Sequence, residues 1–534
     1  MKPGSWKVSE SPGLLPILCG VIVLFVVAAY VVGAVVVRPT LYSDSGFGFL
    51  GWDTRHGLPF NHAAVPDDAD ISKDSVEFMA IWSPGQHVLP GLLEECGLSL
   101  GLSLAIVVAA FSILGLAAWF TLYRAFGFPL RTSAIAVTII ACSHHFAVPF
   151  GIYNGGEVLL FGTAPWFLLL VWKLRELRWR AVLPLLAGTL VIFLAKLSGI
   201  IVAAAAIAAA VPSGGRPWLA RQVARKALVA GTTIGVMGVA FYEFWYSRGW
   251  TAVSSLIDVQ WWTLVSFAAF AVSSIASASL SLGELGAYVF LHPARPILDS
   301  NLPIYYALLP FAIGMLVLVQ QRLHQDHADY LRFFLVFALA ISAVLIWTWA
   351  RGSVVTIEER HFRIVSLVLL VGIVHSFIEL PNKSRRVLFA AVVGVAALYG
   401  IASAAVHVEA NLVRPLGIRG FRHWIANAAV IDFIRTIDVP TPDRRATLIL
   451  VPSPEIGLEV RHVRVMSNRA DMQEPEELRA ETYRGRVPRL YVIIQRRLVA
   501  EGKAEVVLNS FVDYPKERWQ QIPLGDFVCF FNGG

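Results

Sequence analysis

An acid marks the place where the first long apolar run gives way to polar sequence, in Tyr42-Ser43-Asp44-Ser45-Gly46. A carboxylate at the edge of a low-dielectric region can have its pKa raised by burial, or be held ionised by a cation or metal. Either state suits acid–base work. Ser-Asp-Ser is also good helix-capping sequence, so a purely structural role for Asp44 stands beside the chemical one. Glu157, in Asn154-Gly155-Gly156-Glu157, opens another apolar run, where a helix macrodipole favours a carboxylate whatever its function. Lys196 interrupts a third run; its amine either meets an anion or snorkels to the membrane interface. Arg351, Arg360 and Arg363 crowd one polar loop. Guanidinium groups bind phosphate oxygens in bidentate fashion and stabilise charge growing on a leaving group, although Glu358 and Glu359 could neutralise these three locally. His144 and His145 lie upstream of Glu157 and supply nitrogen ligands of the kind a divalent ion takes; paired histidines at an interface also simply hydrogen-bond there.

Most of the chain that must position these groups is apolar. Of 534 residues, 56% are hydrophobic and 15% charged, with a mean hydropathy of +0.64, more apolar surface than one soluble core can bury. The surplus faces lipid. The run 13–37 is too long for a signal-peptide core and reads as a retained first helix. Runs of spanning length follow at 99–122, 132–149, 157–172, 181–195, 198–212, 227–246, 303–320, 331–350, 364–379 and 387–406, about 11 transmembrane helices in all. With the N-terminus inside, the basic clusters near 124–131, 173–180, 216–226, 322 and 383–386 all fall inside, as the positive-inside bias requires. Arg351, Arg360 and Arg363 then lie outside, against that bias. The Ser- and Ala-rich stretch within 250–302 reads as a re-entrant pair, an interfacial helix or one more span. Beyond residue 408, β-rich runs at 446–451, 463–466, 490–494 and 527–530 alternate with helical stretches at 421–435 and 504–511, an α/β pattern with a parallel sheet. The scattered cysteines, Cys19, Cys96, Cys142 and Cys529, suggest neither a disulfide framework nor a zinc site. The excess of 44 Lys and Arg over 37 Asp and Glu is met by anionic lipid at the inner loops, so nucleic acid is not a partner.

This layout resembles the GT-C superfamily of membrane glycosyltransferases, which use polyprenyl-phosphate-linked sugars. Those enzymes carry an acid in the first outer loop, a proline segment later in it and a second acid opening helix 4. A lysine often follows helix 5, and a basic or aromatic-basic motif lies in a later outer loop. Asp44, Trp82-Ser83-Pro84-Gly85, Glu157, Lys196 and Glu358-Glu359-Arg360-His361-Phe362 stand at those places. Two departures separate the chain from particular branches: a Pro-Pro pair is Pro84-Gly85 here, and Asp44 is followed by Ser45 rather than a second acid.

The resemblance implies a polytopic α-helical membrane protein: a GT-C-like region, 1–407, with a long first outer loop, 38–98, and an extracytoplasmic α/β domain, 408–534. It implies an inverting transfer of a sugar from a polyprenyl-phosphate donor to a lipid-linked, glycan or protein acceptor, at the outer face of the cytoplasmic membrane. Asp44 would be the general base and Glu157 the second catalytic acid. Lys196, Arg351, Arg360, Arg363, Trp82 and His56 would contact the donor and its lipid phosphate. Asp44, Glu157, His144 and His145 could hold a divalent metal, Mg or Mn. A ligase moving a whole glycan is a close variant. A transporter or flippase for a lipid-linked glycan would want inverted repeats and charges at helix midpoints, which are scarce here. A non-enzymatic envelope scaffold would make no special demand on Asp44. The topology is testable with a reporter fused after Gly534 that is active only in the cytoplasm: it is expected to be silent, and a bright signal would reverse every outer-face assignment.

Overall fold

The computed structural model describes residues 13–67, 69–212, 220–249, 261–291, 297–298, 300–351, 356–467, 477–481 and 487–533. The first part of the 216–226 cluster, residues 250–260 and the 352–355 part of the arginine loop lie outside these ranges. The chain opens with α1 (Leu14–Val37), whose 24 residues rise about 36 Å, enough to cross a bilayer. Leu14, Leu24, Phe25 and Val36 point away from the protein, as lipid-facing side chains do. After it come β1 (Thr40–Leu41), α2 (Ser43–Thr54), a hairpin of β2 (His62–Pro66) and β3 (Asp74–Phe78), and α3 (Gly85–Glu95). The bundle continues with α4 (Leu100–Ala125), α5 (Leu130–Ala141), the short α6 (His144–Ala147), β4 (Ile152–Tyr153), α7 (Gly155–Lys173), α8 (Val182–Ala195) and α9 (Gly199–Ala209). Then follow α10 (Ala220–Phe244), α11 (Trp261–Ser277), α12 (Leu282–Phe290), α13 (Leu302–Leu323), α14 (Ala328–Ala350), α15 (Arg363–Ile378) and α16 (Lys383–Val413).

Eight of these, α1, α4, α7, α10, α13, α14, α15 and α16, are long and apolar enough to span a membrane. The other three expected spans differ. The 132–149 run bends by 64° between α5 and the His144–Phe150 segment, and α8 and α9 are short apolar helices. The ambiguous 250–302 stretch contains a pair, α11 and α12, bent by 111°, the geometry of a broken span or a re-entrant loop. Serines line the bend: Ser273, Ser274, Ser277, Ser279 and Ser281 are all buried. Ser279 N–H donates to Ser366 Oγ at 2.7 Å, so a side chain of α15 satisfies a backbone group that the bend frees. Arg124, Lys173 and Arg175, from the ends of α4 and α7, line one cavity of about 970 Å³ with Asp326 and His327. The loops after α4 and α7 and before α14 therefore share one face.

Helix α16 runs on to Val413, past the expected boundary at 407, because the sequence keeps helix formers until Pro415. Beyond it, α17 (Ala428–Ile437) packs against a sheet of β5 (Thr447–Val451), β6 (Arg464–Ser467), β7 (Arg489–Gln495), β8 (Gln520–Leu524) and β9 (Phe527–Asn532), in the order β6-β5-β7-β9-β8. β6, β5 and β7 pair in parallel, and β9 runs antiparallel between β7 and β8. The strand β8 escapes a periodicity reading because Gln520, Gln521 and the exposed Pro523 carry no apolar alternation, which an edge strand tolerates.

The contact between α4 and α7 depends on small residues. A Cβ at Gly115 would meet the Phe161 ring at 2.4 Å, and one at Gly162 would meet Phe111 at 2.7 Å. Each glycine receives the other helix's phenylalanine, the close approach that drives helix association in lipid. Gly162→Val is expected to destabilise the detergent-solubilised protein by about 1–3 kcal/mol through overpacking, seen as a lowered thermal midpoint. An unchanged midpoint would mean that this contact does not hold α7 in place.

Candidate active site

Two residues of extended chain bring the two acids together. β1 lies parallel to β4, with Leu41 opposite Tyr153. Tyr42 N–H donates to the Tyr153 carbonyl at 3.0 Å, and Gly155 N–H to Ser45 Oγ at 3.3 Å. Each strand leads directly into a helix with an acid in its first turn, Asp44 in α2 and Glu157 in α7. Parallel strands send both helices off from the same edge. The N-cap position of α2 is Tyr42, and Asp44 lies in the first turn with its side chain exposed.

Lys196, at the C-terminal end of α8, pairs with Glu157; their side chains are 22% and 11% exposed. The helix stops there because Lys196 adopts an extended conformation, aiming its side chain at α7. Gly156 makes room, since a Cβ there would lie 3.3 Å from Lys196 Cγ. The second cation is Arg360, whose Nε lies 2.5 Å from Glu358 Oε2 and whose guanidinium sits 5.5 Å from the centre of the Tyr42 ring. Surrounding protein withdraws water from Asp44 and raises its pKa above the ordinary carboxylate value, while Arg360 first and Lys196 second pull it back down. The same two cations act on Glu157. One cation pair thus serves both acids.

The proline segment braces this arrangement. Gly85 has no room for a side chain, because a Cβ would meet the Leu194 carbonyl oxygen at 2.5 Å, two residues before Lys196. A second proline would collide there, which accounts for Pro84-Gly85 in place of Pro-Pro. Tyr153 O–H donates to the Gln86 carbonyl at 2.6 Å, tying the segment to β4. Trp82 stacks on Phe47, one turn after Asp44, with ring centres 5.3 Å apart and planes at 15°.

Arg363 is buried, its guanidinium 4.7 Å from the centre of the Phe161 ring and within electrostatic reach of Glu157. Arg351 ends α14 with its guanidinium over Trp347. His56 lies beyond the far end of α2, about 18 Å from Asp44 at the helical rise, and its Nε2 faces Arg444. It belongs to a different cavity. The expected metal quartet does not assemble: His145 Nε2 lies 3.4 Å from Glu359 Oε1, and His144 stacks on Tyr399 with ring centres 4.8 Å apart. The bend after α5 turns both histidines toward α12 and α16. Among the described residues no group of three or more His, Cys, Asp or Glu is placed to hold a metal ion. Sequence reading missed Tyr42, Gln86 and Tyr153 as site-building residues. Tyr42 stands two residues before Asp44 and could have been found; nothing local marks the other two.

The fold is similar to that of two solved membrane proteins. ArnT from Cupriavidus metallidurans, bound to undecaprenyl phosphate, matches 97% of this chain and 97% of its own, at 13% identity and a TM-score of 0.50. The Archaeoglobus fulgidus oligosaccharyltransferase in the apo form matches 92% of this chain and 71% of its own, also at 13% identity and a TM-score of 0.50. No family model matches the chain, and no curated protein matches it by sequence. The chain is thus a multi-pass membrane protein that shares the fold of these two proteins and has a strand-containing C-terminal region.

The Glu157–Lys196 pair yields a stability test. Lys196→Met leaves Glu157 poorly compensated in a low-dielectric setting and is expected to cost roughly 3 kcal/mol, read as a fall in thermal midpoint in detergent. Adding Glu157→Gln should restore more than half of the loss. Equal stability of the single and double variants would show that the pair is not coupled.

Proposed function

We propose that the protein is an inverting glycosyltransferase that moves a sugar from a polyprenyl-phosphate donor to a glycan, lipid-linked or protein acceptor, at the outer face of the cytoplasmic membrane. The observation that carries this reading is the cation pair Lys196 and Arg360 acting on both Asp44 and Glu157. A phosphate leaving group needs fixed positive charge as its own negative charge grows, and an attacking hydroxyl needs a proton acceptor beside it. Asp44 is the base, accessible and raised toward the working range of a base. Lys196 and Arg360 receive the lipid phosphate. Glu157 holds Lys196 in position, and Trp82 limits the acceptor side through its stack on α2. A divalent metal, Mg or Mn, would have to be held by fewer protein ligands than the sequence suggested, with phosphate oxygens supplying the rest.

Asp44→Asn keeps the shape of the site and removes the proton acceptor, so turnover of a purified polyprenyl-phosphate sugar should fall by roughly 10²-fold or more with little change in donor binding. Arg360→Ala should weaken donor binding as well as rate. It also has a pH signature. A base works only when deprotonated, so the rate declines as pH falls through the Asp44 pKa; removing the cation that lowers that pKa should move the decline to higher pH. Near-normal turnover by Asp44→Asn, in a sample of normal thermal stability, would falsify the base assignment.

A further inference from the structure

At the far end of the helix that begins with Asp44, a cavity of about 500 Å³ opens between the first loop, α3 and the C-terminal sheet region. Asp53 and Asp44 are nine residues apart on α2, about 13 Å at the helical rise. The walls of the cavity set charged side chains among apolar ones such as Leu50, Val460 and Val463, and the charges are unevenly matched. Arg419, only 4% exposed, bridges two of the lining carboxylates, donating from Nε to Glu94 at 2.9 Å and from Nη2 to Asp53 at 3.2 Å. Arg55 takes the third, Glu95, at 2.5 Å. Arg444 and Arg461 complete the lining; among the described residues neither side chain is in an ion pair, and the carboxylates that act on them, Asp74 and Asp438 on Arg444 and Asp53 on Arg461, do so from farther off. The Nε of Arg444 is buried without a hydrogen-bond partner. Arg444 Nη1 faces His56 Nε2, and burial, then the Arg444 charge, lowers the His56 pKa and keeps the ring neutral.

Size and surface narrow the ligand. An inorganic anion would fill a small part of the space, and a lipid tail would strand the arginines and carboxylates that project into it. A nucleobase would want a bare aromatic face, but Arg55 covers Trp52 at 3.3 Å from the ring centre. What remains is a hydroxyl-rich molecule carrying an anion. We infer that this cavity binds an acidic saccharide, one bearing a phosphate or a carboxylate, with the anion on Arg444 and Arg461 and hydroxyls on Asp53, Glu94 and His56. Placed along α2 from Asp44, it holds the acceptor's remote sugars while the reacting hydroxyl lies at the base. The acceptor role rests on the proposed sugar transfer; the binding itself does not.

The test uses the full chain in detergent and saturation-transfer NMR with glucose 6-phosphate, glucuronate, uncharged glucose and inorganic phosphate as probes. Glucose 6-phosphate and glucuronate should bind, glucose should not, and inorganic phosphate should compete only weakly. Arg444→Ala should weaken both charged sugars by about tenfold or more, the worth of one charge-assisted hydrogen bond. Arg461→Ala, a change at an exposed side chain, should act in the same direction with an unchanged thermal midpoint. Asp44→Asn should bind them normally. Charged-sugar binding that survives both arginine variants, or glucose binding as strongly as glucuronate, would overturn the site. Inorganic phosphate competing as well as glucose 6-phosphate would overturn the saccharide assignment. Full turnover by Asp44→Asn with cavity binding intact would overturn the acceptor role and leave the binding site standing.

Discussion

Leu41 and Tyr153 lie side by side in a parallel pair two residues long, and the outer half of the site hangs from the backbone groups around them. The Gly151 carbonyl accepts from Thr40 N–H at 2.9 Å, from Thr40 Oγ1 at 3.3 Å and from Asn411 Nδ2 at 2.8 Å. Asn411 also donates to the Arg38 carbonyl at 3.3 Å. Three chain segments, leaving α1, approaching α7 and ending α16, therefore converge on one carbonyl. Away from water an unpaired backbone group costs several kcal/mol, so these crossings must be satisfied internally and the strands cannot slide past one another cheaply. Register fixes which residues begin α2 and α7, and through them where Asp44 and Glu157 stand.

Around that hinge the charges are arranged as a shared set rather than as separate ion pairs. Glu157 has Lys196, Glu358 has Arg360, and Asp44 has a share of both cations without owning either. A carboxylate held this way is neither locked ionised by a dedicated partner nor left in apolar surroundings. Its protonation answers to whatever else occupies the cations. On the function proposed above, an arriving phosphate would draw on Lys196 and Arg360, weaken their hold on Asp44 and make it a stronger proton acceptor.

Hydropathy alone delimits most of the bundle. The run 13–37 is α1 to within one residue, and the starts and ends of α7, α13 and α15 lie within a few residues of their apolar runs. Failures come where the chain breaks its own periodicity. The turn between α5 and α6 is easily passed over because apolar residues resume at Phe146 after the short polar stretch Ser143-His144-His145, yet it redirects His144 and His145 and undoes the expected metal quartet. The α11–α12 bend leaves a trace in its serines, but their partners Glu359 and Ser366 come from residues far along the chain. Asp44 shows the limit most plainly: Ser-Asp-Ser fits a cap and a catalytic acid equally, and the cations that bear on it come from α8 and from the turn before α15, which no local pattern announces. Glu157 and Lys196 are 39 residues apart, and no local pattern pairs them. Family likeness singled out Lys196; the stop in α8 and the missing side chain at Gly156 give the physical reason.

The short 3₁₀ turn Glu359–Phe362 carries residues with opposite allegiances. In that helix positions three apart eclipse, so Glu359 and Phe362 share one side, and both are fully buried. Glu359 accepts from Ser277 Oγ at 3.1 Å and from Gly283 N–H at 2.9 Å, mooring the turn to the α11–α12 bend. Glu358, Arg360 and His361 face the other way, toward the acids. Adjacent codons thus answer to different pressures, one set by packing against the α11–α12 bend and the other by the charges that surround the acids. Lineages of this protein could exchange one specificity for another by varying Glu358 and His361 while Glu359 and Phe362, one residue away in each case, stay pinned by the bundle.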